Sequence, residues 1–175
     1  MLGFLNRRRK LPAERRPPLA RDERLLAWAQ TPEEQAVVAT NRGLWLPDPW
    51  RRIGWHEIHK ATWSGRELRI IAGQEAQERD GYSVLVDQSV GSYLLLEPGE
   101  LPDQVRARVT RSVAYTSYHQ LPGGGVRIAA RRVNGADGLR WTVRYDADAT
   151  VDAEATVRAT DELVGAAKEL TAPPA

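Results

Sequence analysis

A run of short β-like segments, followed by a helix, a hairpin and a second helix, predicts an α+β fold for this 175-residue chain. Three observations carry that prediction. Seven or eight apolar runs separated by turn residues fall within roughly 75 positions, the spacing of a sandwich or barrel. Six Trp stand against one Phe and one Met, which favours strands built on large anchors. From Leu101 the pattern changes to Val105, Val109 and Val113, a stripe at helical spacing.

Residues 1–21 hold seven basic side chains and one acid, with Pro12, Pro17 and Pro18 and no periodicity, so they are expected to form a disordered Arg/Pro-rich arm. Strands are expected at 24–30, 35–40, 44–46, 52–57, 60–64, 67–72, 82–87 and 92–97. Asn41-Arg42-Gly43 and Gly65 supply turns, and 73–81 is expected to be a polar loop. Pro98-Gly99-Glu100-Leu101-Pro102 opens a helix expected to reach about Tyr118. Gly123-Gly124-Gly125 then serves as its C-cap and turn; a loop following a helix points no helix dipole at a phosphate. The runs 126–133 and 139–145 alternate strictly and predict a hairpin. A last helix is expected from near Asp152 to about Leu170, with Val157, Thr160, Leu163, Val164 and Ala167 inward. The expected organisation is therefore an arm (1–21), a β-barrel with a capping helix (22–119), a ββα extension (120–170) and a frayed tail (171–175).

Composition removes several classes of chemistry. Zero cysteines exclude disulfides, thiolate metal sites and cysteine nucleophiles. The net charge of +2 divides into +6 on residues 1–21 and −4 on the rest, so overall basicity gives no evidence for a nucleic-acid-binding body. No apolar run is long enough to cross a bilayer. No apolar h-region follows Lys10, and Leu2 stands where N-myristoylation needs Gly. A cytoplasmic protein is expected, with peripheral membrane attachment open to the arm.

Two local sequences carry a family resemblance. Ala39-Thr40-Asn41-Arg42-Gly43-Leu44-Trp45, followed by Ile53-Gly54-Trp55-His56-Glu57-Ile58, resembles the bacterial pleckstrin-homology-like (PH-like) pattern of a hairpin preceding a Trp-containing strand. The likeness covers about residues 22–119. It implies a PH-like antiparallel barrel of seven to eight strands capped by a helix, and a binding or adaptor module with no enzymatic activity. In phosphoinositide-binding members the loop between the first two strands is basic. Here that loop, Gln30-Thr31-Pro32-Glu33-Glu34-Gln35, is acidic, which argues against lipid headgroups there. The whole chain also resembles a group of small proteins from high-GC bacteria, a likeness that implies no function.

Candidate sites follow from charge and spacing. His56-Glu57-Ile58-His59 has its histidines three apart, whereas the helical zinc motif needs four, and in a strand that odd spacing sends them to opposite faces. They are expected to be structural, with no metal and no cofactor. No Gly-x-Ser-x-Gly is present, and no catalytic residue is assigned. If Val126, Ile128 and Ala130 face inward with Trp141 and Val143, then Arg127, Arg131, Arg140 and Arg144 share the other face. Those four arginines either dock an acidic partner or phosphates, or simply keep an exposed strand pair soluble. No aromatic residue is expected among them. The arm's Arg7, Arg8, Arg9 and Lys10 form a second candidate, open to anionic lipid, to RNA or to no partner. A protein is the expected partner; RNA bound by the arm and the hairpin is the alternative. Of the six Trp, Trp50 is the one expected to be exposed.

Overall fold

Ala36–Thr40 (AVVAT) is buried at every position, which requires cover on both faces of its sheet. The computed structural model describes residues 9–47 and 49–174. It places this segment as β2 in a four-stranded antiparallel sheet with β1 (Leu25–Gln30), β3 (Gly43–Leu46) and β4 (Arg51–Gly54), in the order β1-β2-β3-β4. Val37 and Ala39 point to one core with Leu44, Leu46 and Ile53. Ala36 and Val38 point the other way, beneath Leu11 and Trp45.

The second sheet has seven strands. These are β5 (Ile58–Trp63), β6 (Glu67–Arg79), β7 (Tyr82–Asp87), β8 (Gly91–Leu94), β9 (Val113–Leu121), β10 (Gly124–Arg132) and β11 (Leu139–Tyr145). Their order is β5-β6-β7-β11-β10-β9, with β8 paired to β6. All contacts are antiparallel except β7 with β11. The sheet curls into a half-barrel. β6 gives its first half to β5 and β8 and its second half to β7. Helix α1 (Leu101–Ser112) drives Leu101 and Val105 into the core formed by the first sheet and the β5 side of the second. Helix α2 (Glu154–Thr171) covers the outside of the curl, where Val164 meets Tyr82, Val84, Val126, Ile128 and Val143.

Most expected strands form within two residues of the expected limits, and three expectations are corrected. The loop expected at 73–81 is the second half of β6, turning only at Asp80 and Gly81, whose φ is 77°. Its polar residues suit a strand because residues 74–78 are exposed on both faces and pair only with β7, as an edge segment does. The helix expected to reach Tyr118 ends at Ser112. Beyond it, Tyr115, Thr116 and Tyr118 are poor helix formers that pair with β10, so the glycine run joins two strands and the expected boundary at 119/120 falls inside β9. Finally, the strand expected at 52–57 breaks into a 3-10 turn at Trp55–Glu57, closed by Glu57 Oε2 accepting from the Gly54 N–H at 2.7 Å.

The arm expectation is corrected for residues 9–21. Leu11 is only 2% exposed, packed with Trp45, Trp28 and Trp50 on the outer face of the first sheet. Trp28 Nε1 donates to the Arg9 carbonyl at 2.8 Å. Burying a leucine side chain is worth about 2 kcal/mol, enough to hold a short segment that Pro12, Pro17 and Pro18 already stiffen. Trp50 is half-buried and meets Trp45 edge-on at 6.5 Å, against the expectation of exposure. Among the described residues no helix is long and apolar enough to cross a membrane.

Candidate binding site

The register of β10 against β11 sets Arg127 opposite Arg144, Ala129 opposite Thr142 and Arg131 opposite Arg140. The four arginines therefore share one face, as the alternation predicts. That face is the inside of the curl, so β5 and the turn before it rise opposite the hairpin. A cavity of about 350 Å³ results, lined by Arg127, Arg131 and Arg144, by His56 and His59, and by the apolar side chains of Leu85, Val113 and Ala129. Arg127 is exposed at the rim, whereas Arg131, Arg140 and Arg144 are half-buried.

The four guanidinium groups are not equivalent. Arg140 Nη2 reaches Glu75 Oε2 at 3.1 Å, and that same oxygen accepts from Ser83 Oγ at 2.7 Å. Arg144 Nη1 reaches Asp87 Oδ1 at 2.8 Å, an oxygen shared with His59 Nδ1 at 2.7 Å. Burial alone would raise the Asp87 pKa, but the His59 and Arg144 contacts prevail and hold it below the usual carboxylate value. Neither Arg131 nor Arg127 has a carboxylate within ion-pair distance among the described residues. Arg131 donates to Ser112 Oγ at 2.8 Å, and Ser112 in turn donates to the Val109 carbonyl at 2.7 Å. Burial, then the neighbouring Arg144, lowers the Arg131 pKa from the usual arginine value. Arg127 lies over the Tyr118 ring, 5.5 Å from its centroid.

Two expectations about this face are corrected. The 3-10 turn brings both His56 and His59 to the cavity, where a continuous strand would have separated them. Each imidazole has its pKa lowered, chiefly by burial. Among the described residues no three His, Asp or Glu side chains are arranged to hold a metal ion. An aromatic ring does stand among the arginines: Tyr118, on the strand that the valine stripe predicted as helix. A Cβ on Gly125 would strike the Tyr118 hydroxyl, so this position needs glycine for the ring to lie where it does. The aromatic and β-branched composition of Tyr115-Thr116-Ser117-Tyr118 was the available signal for that strand.

Of the arm candidates, Arg7 and Arg8 lie outside the described residues. Arg9 stacks over Trp28 at 5.2 Å and pairs with Glu97, and Lys10 is exposed. The arm and the hairpin face do not form one site: Arg9 sits beside β1, on the outer side of the first sheet, and the hairpin arginines line the inside of the second.

No protein-family model, no curated protein and no solved structure matches the chain.

Proposed function

We propose that the protein is a non-enzymatic binding module that seats one acidic group of a partner protein, a carboxylate side chain or C-terminus, inside the curled sheet. The observation that carries this reading is that Arg131 and Arg127 face a cavity without a carboxylate counterion, while their neighbours Arg140 and Arg144 have one each. A guanidinium at a partly dry, partly apolar wall gains more from an incoming carboxylate than a fully hydrated one does. Two of the four arginines are already neutralised, which favours a single acidic group over a track along a nucleic-acid backbone. Strands β1–β6 and β8 with α1 packed against them support reading residues 22–119 as PH-like, a class of binding scaffolds. The non-enzymatic part is supported by the Ser112 hydroxyl, which is engaged by Arg131 and the Val109 carbonyl and has no hydrogen bond to a His, Asp or Glu among the described residues.

The test is affinity purification of the tagged chain beside an Arg127→Gln/Arg131→Gln variant with matched thermal melting. Partners retained by the parent and lost by the variant, and competed by a Glu-rich peptide, support the reading. Partners held equally by both overturn it, and partners released by nuclease replace it with nucleic-acid binding.

A further inference from the structure

A second cationic pocket lies on the other side of Ser112. It occupies about 220 Å³ between the C-terminal half of α1 and the end of β10, and its walls include Trp55, Arg108, Arg111, Arg132 and Asn134. Arg108 and Arg111 are three residues apart on α1, a spacing that puts both on one side of the helix. Arg132 enters from the sheet: its Nη1 donates to the Arg111 carbonyl at 3.1 Å and the Val113 carbonyl at 3.2 Å. Those bonds fix the guanidinium and occupy carbonyls at the helix C-terminus that would otherwise repel an anion.

None of these three arginines has a carboxylate within ion-pair distance among the described residues. Arg108 is half-buried, and its Nε is shut off from solvent with no acceptor. Burial, and then the like charges of Arg111 and Arg24, also lower the Arg108 pKa from the usual arginine value. Three guanidinium groups converging from two elements, uncompensated, exceed what one carboxylate can neutralise. A phosphoryl group, with a charge near −2 and three acceptor oxygens, matches both their charge and their number.

We propose that this pocket is a phosphoryl-binding site, with Arg108 at its more buried end and Arg111 and Arg132 as rim donors. At about 220 Å³ the pocket lies below the roughly 300–1,000 Å³ of drug-sized ligand sites, so the ligand is free phosphate or a small phosphomonoester. This site adjoins the arginine cavity inside the curl, with His56 in the wall of both, but draws on a different set of arginines, and the proposal does not rest on the reading of that cavity.

Calorimetric titration of the full chain with inorganic phosphate, glycerol 2-phosphate and acetate at matched ionic strength tests the assignment. Saturable 1:1 binding of phosphate or the ester is expected, at least tenfold tighter than acetate. The tighter of the two phosphates identifies which source the site takes. Arg111→Gln and Arg132→Gln, both at exposed positions, should each weaken binding about tenfold, the first without changing the melting temperature, while Arg127→Gln in the neighbouring cavity leaves binding within twofold. No saturable binding, acetate binding as tight as phosphate, or a loss confined to Arg127→Gln would overturn the proposal.

Discussion

Arg131 and Arg140 face each other across β10 and β11, yet only Arg140 has a carboxylate partner, Glu75. Like charges directly opposed on one sheet face are destabilising by a few tenths of a kcal/mol or more. Arg131→Gln is therefore expected to leave stability within about 0.5 kcal/mol of the parent or to raise it. Glu75→Gln, which removes the compensating charge, should cost about 1 kcal/mol, a modest figure because the pair is partly exposed. Urea denaturation measures both, and a larger loss in Arg131→Gln than in Glu75→Gln would contradict the charge assignment.

Glu23 should be the most sensitive carboxylate in the molecule. Its side chain has no exposed surface and accepts from Thr40 Oγ1 at 2.6 Å, Trp45 Nε1 at 2.8 Å, Arg52 Nη1 at 2.8 Å and the Ala20 N–H at 3.1 Å. Burial alone would raise its pKa, but these donors together with the Arg52 charge pull it below the ordinary value of 4.5. The stability it contributes is thus complete above about pH 4.5 and is lost as pH falls through the lower folded value. Glu23→Gln should cost about 3 kcal/mol at pH 7 and flatten the acid limb of the stability profile. Tryptophan fluorescence during denaturation reads both effects, since Trp45 is one of the donors.

The segment before β1 belongs to the folded unit. Leu11→Ala should cost about 2 kcal/mol, by loss of burial and a partly collapsed cavity beside Trp45. Removal of residues 1–21 should cost more, because it also takes away the Ala20 N–H that donates to Glu23. Equal melting temperatures for the truncated and intact chains would show that the segment adds nothing.

How far the sequence revealed this arrangement depends on the range of the interaction. The β10–β11 hairpin and the shared face of its arginines follow from a two-residue period, which is local and survives in any context. The end of α1 did not, because Val105, Val109 and Val113 continue a helical stripe by one residue past the point where pairing with β10 takes over. The pairings of Arg140 with Glu75 and of Arg144 with Asp87 join residues 65 and 57 positions apart, a separation that no pattern in the chain encodes. Local alternation also names two faces without saying which lies inside a curl.

The two cavity histidines predict a pH response of defined sign. Burial lowers both pKa values from 6.5, so the stability gained by keeping them neutral is present above about pH 6.5 and is lost as pH falls towards the folded values. Binding of an acidic ligand in the curl should move oppositely, strengthening between pH 7.5 and 5.5 as the ligand draws protons onto His56 and His59. His56→Gln/His59→Gln should remove both trends. Titration calorimetry with a Glu-rich peptide at the two pH values checks the affinity, and an affinity that falls on acidification would be the contrary result.

β6 runs for 13 residues and hydrogen-bonds to β5 and β8 at one end and to β7 at the other. It acts mechanically as a shared beam: a load applied to either half of the molecule is carried along the same backbone into the other. Because residues 67–79 form one continuous hydrogen-bonded strand, a protease should find no cleavable hinge there. Heat and force should meet one body, melting in a single step.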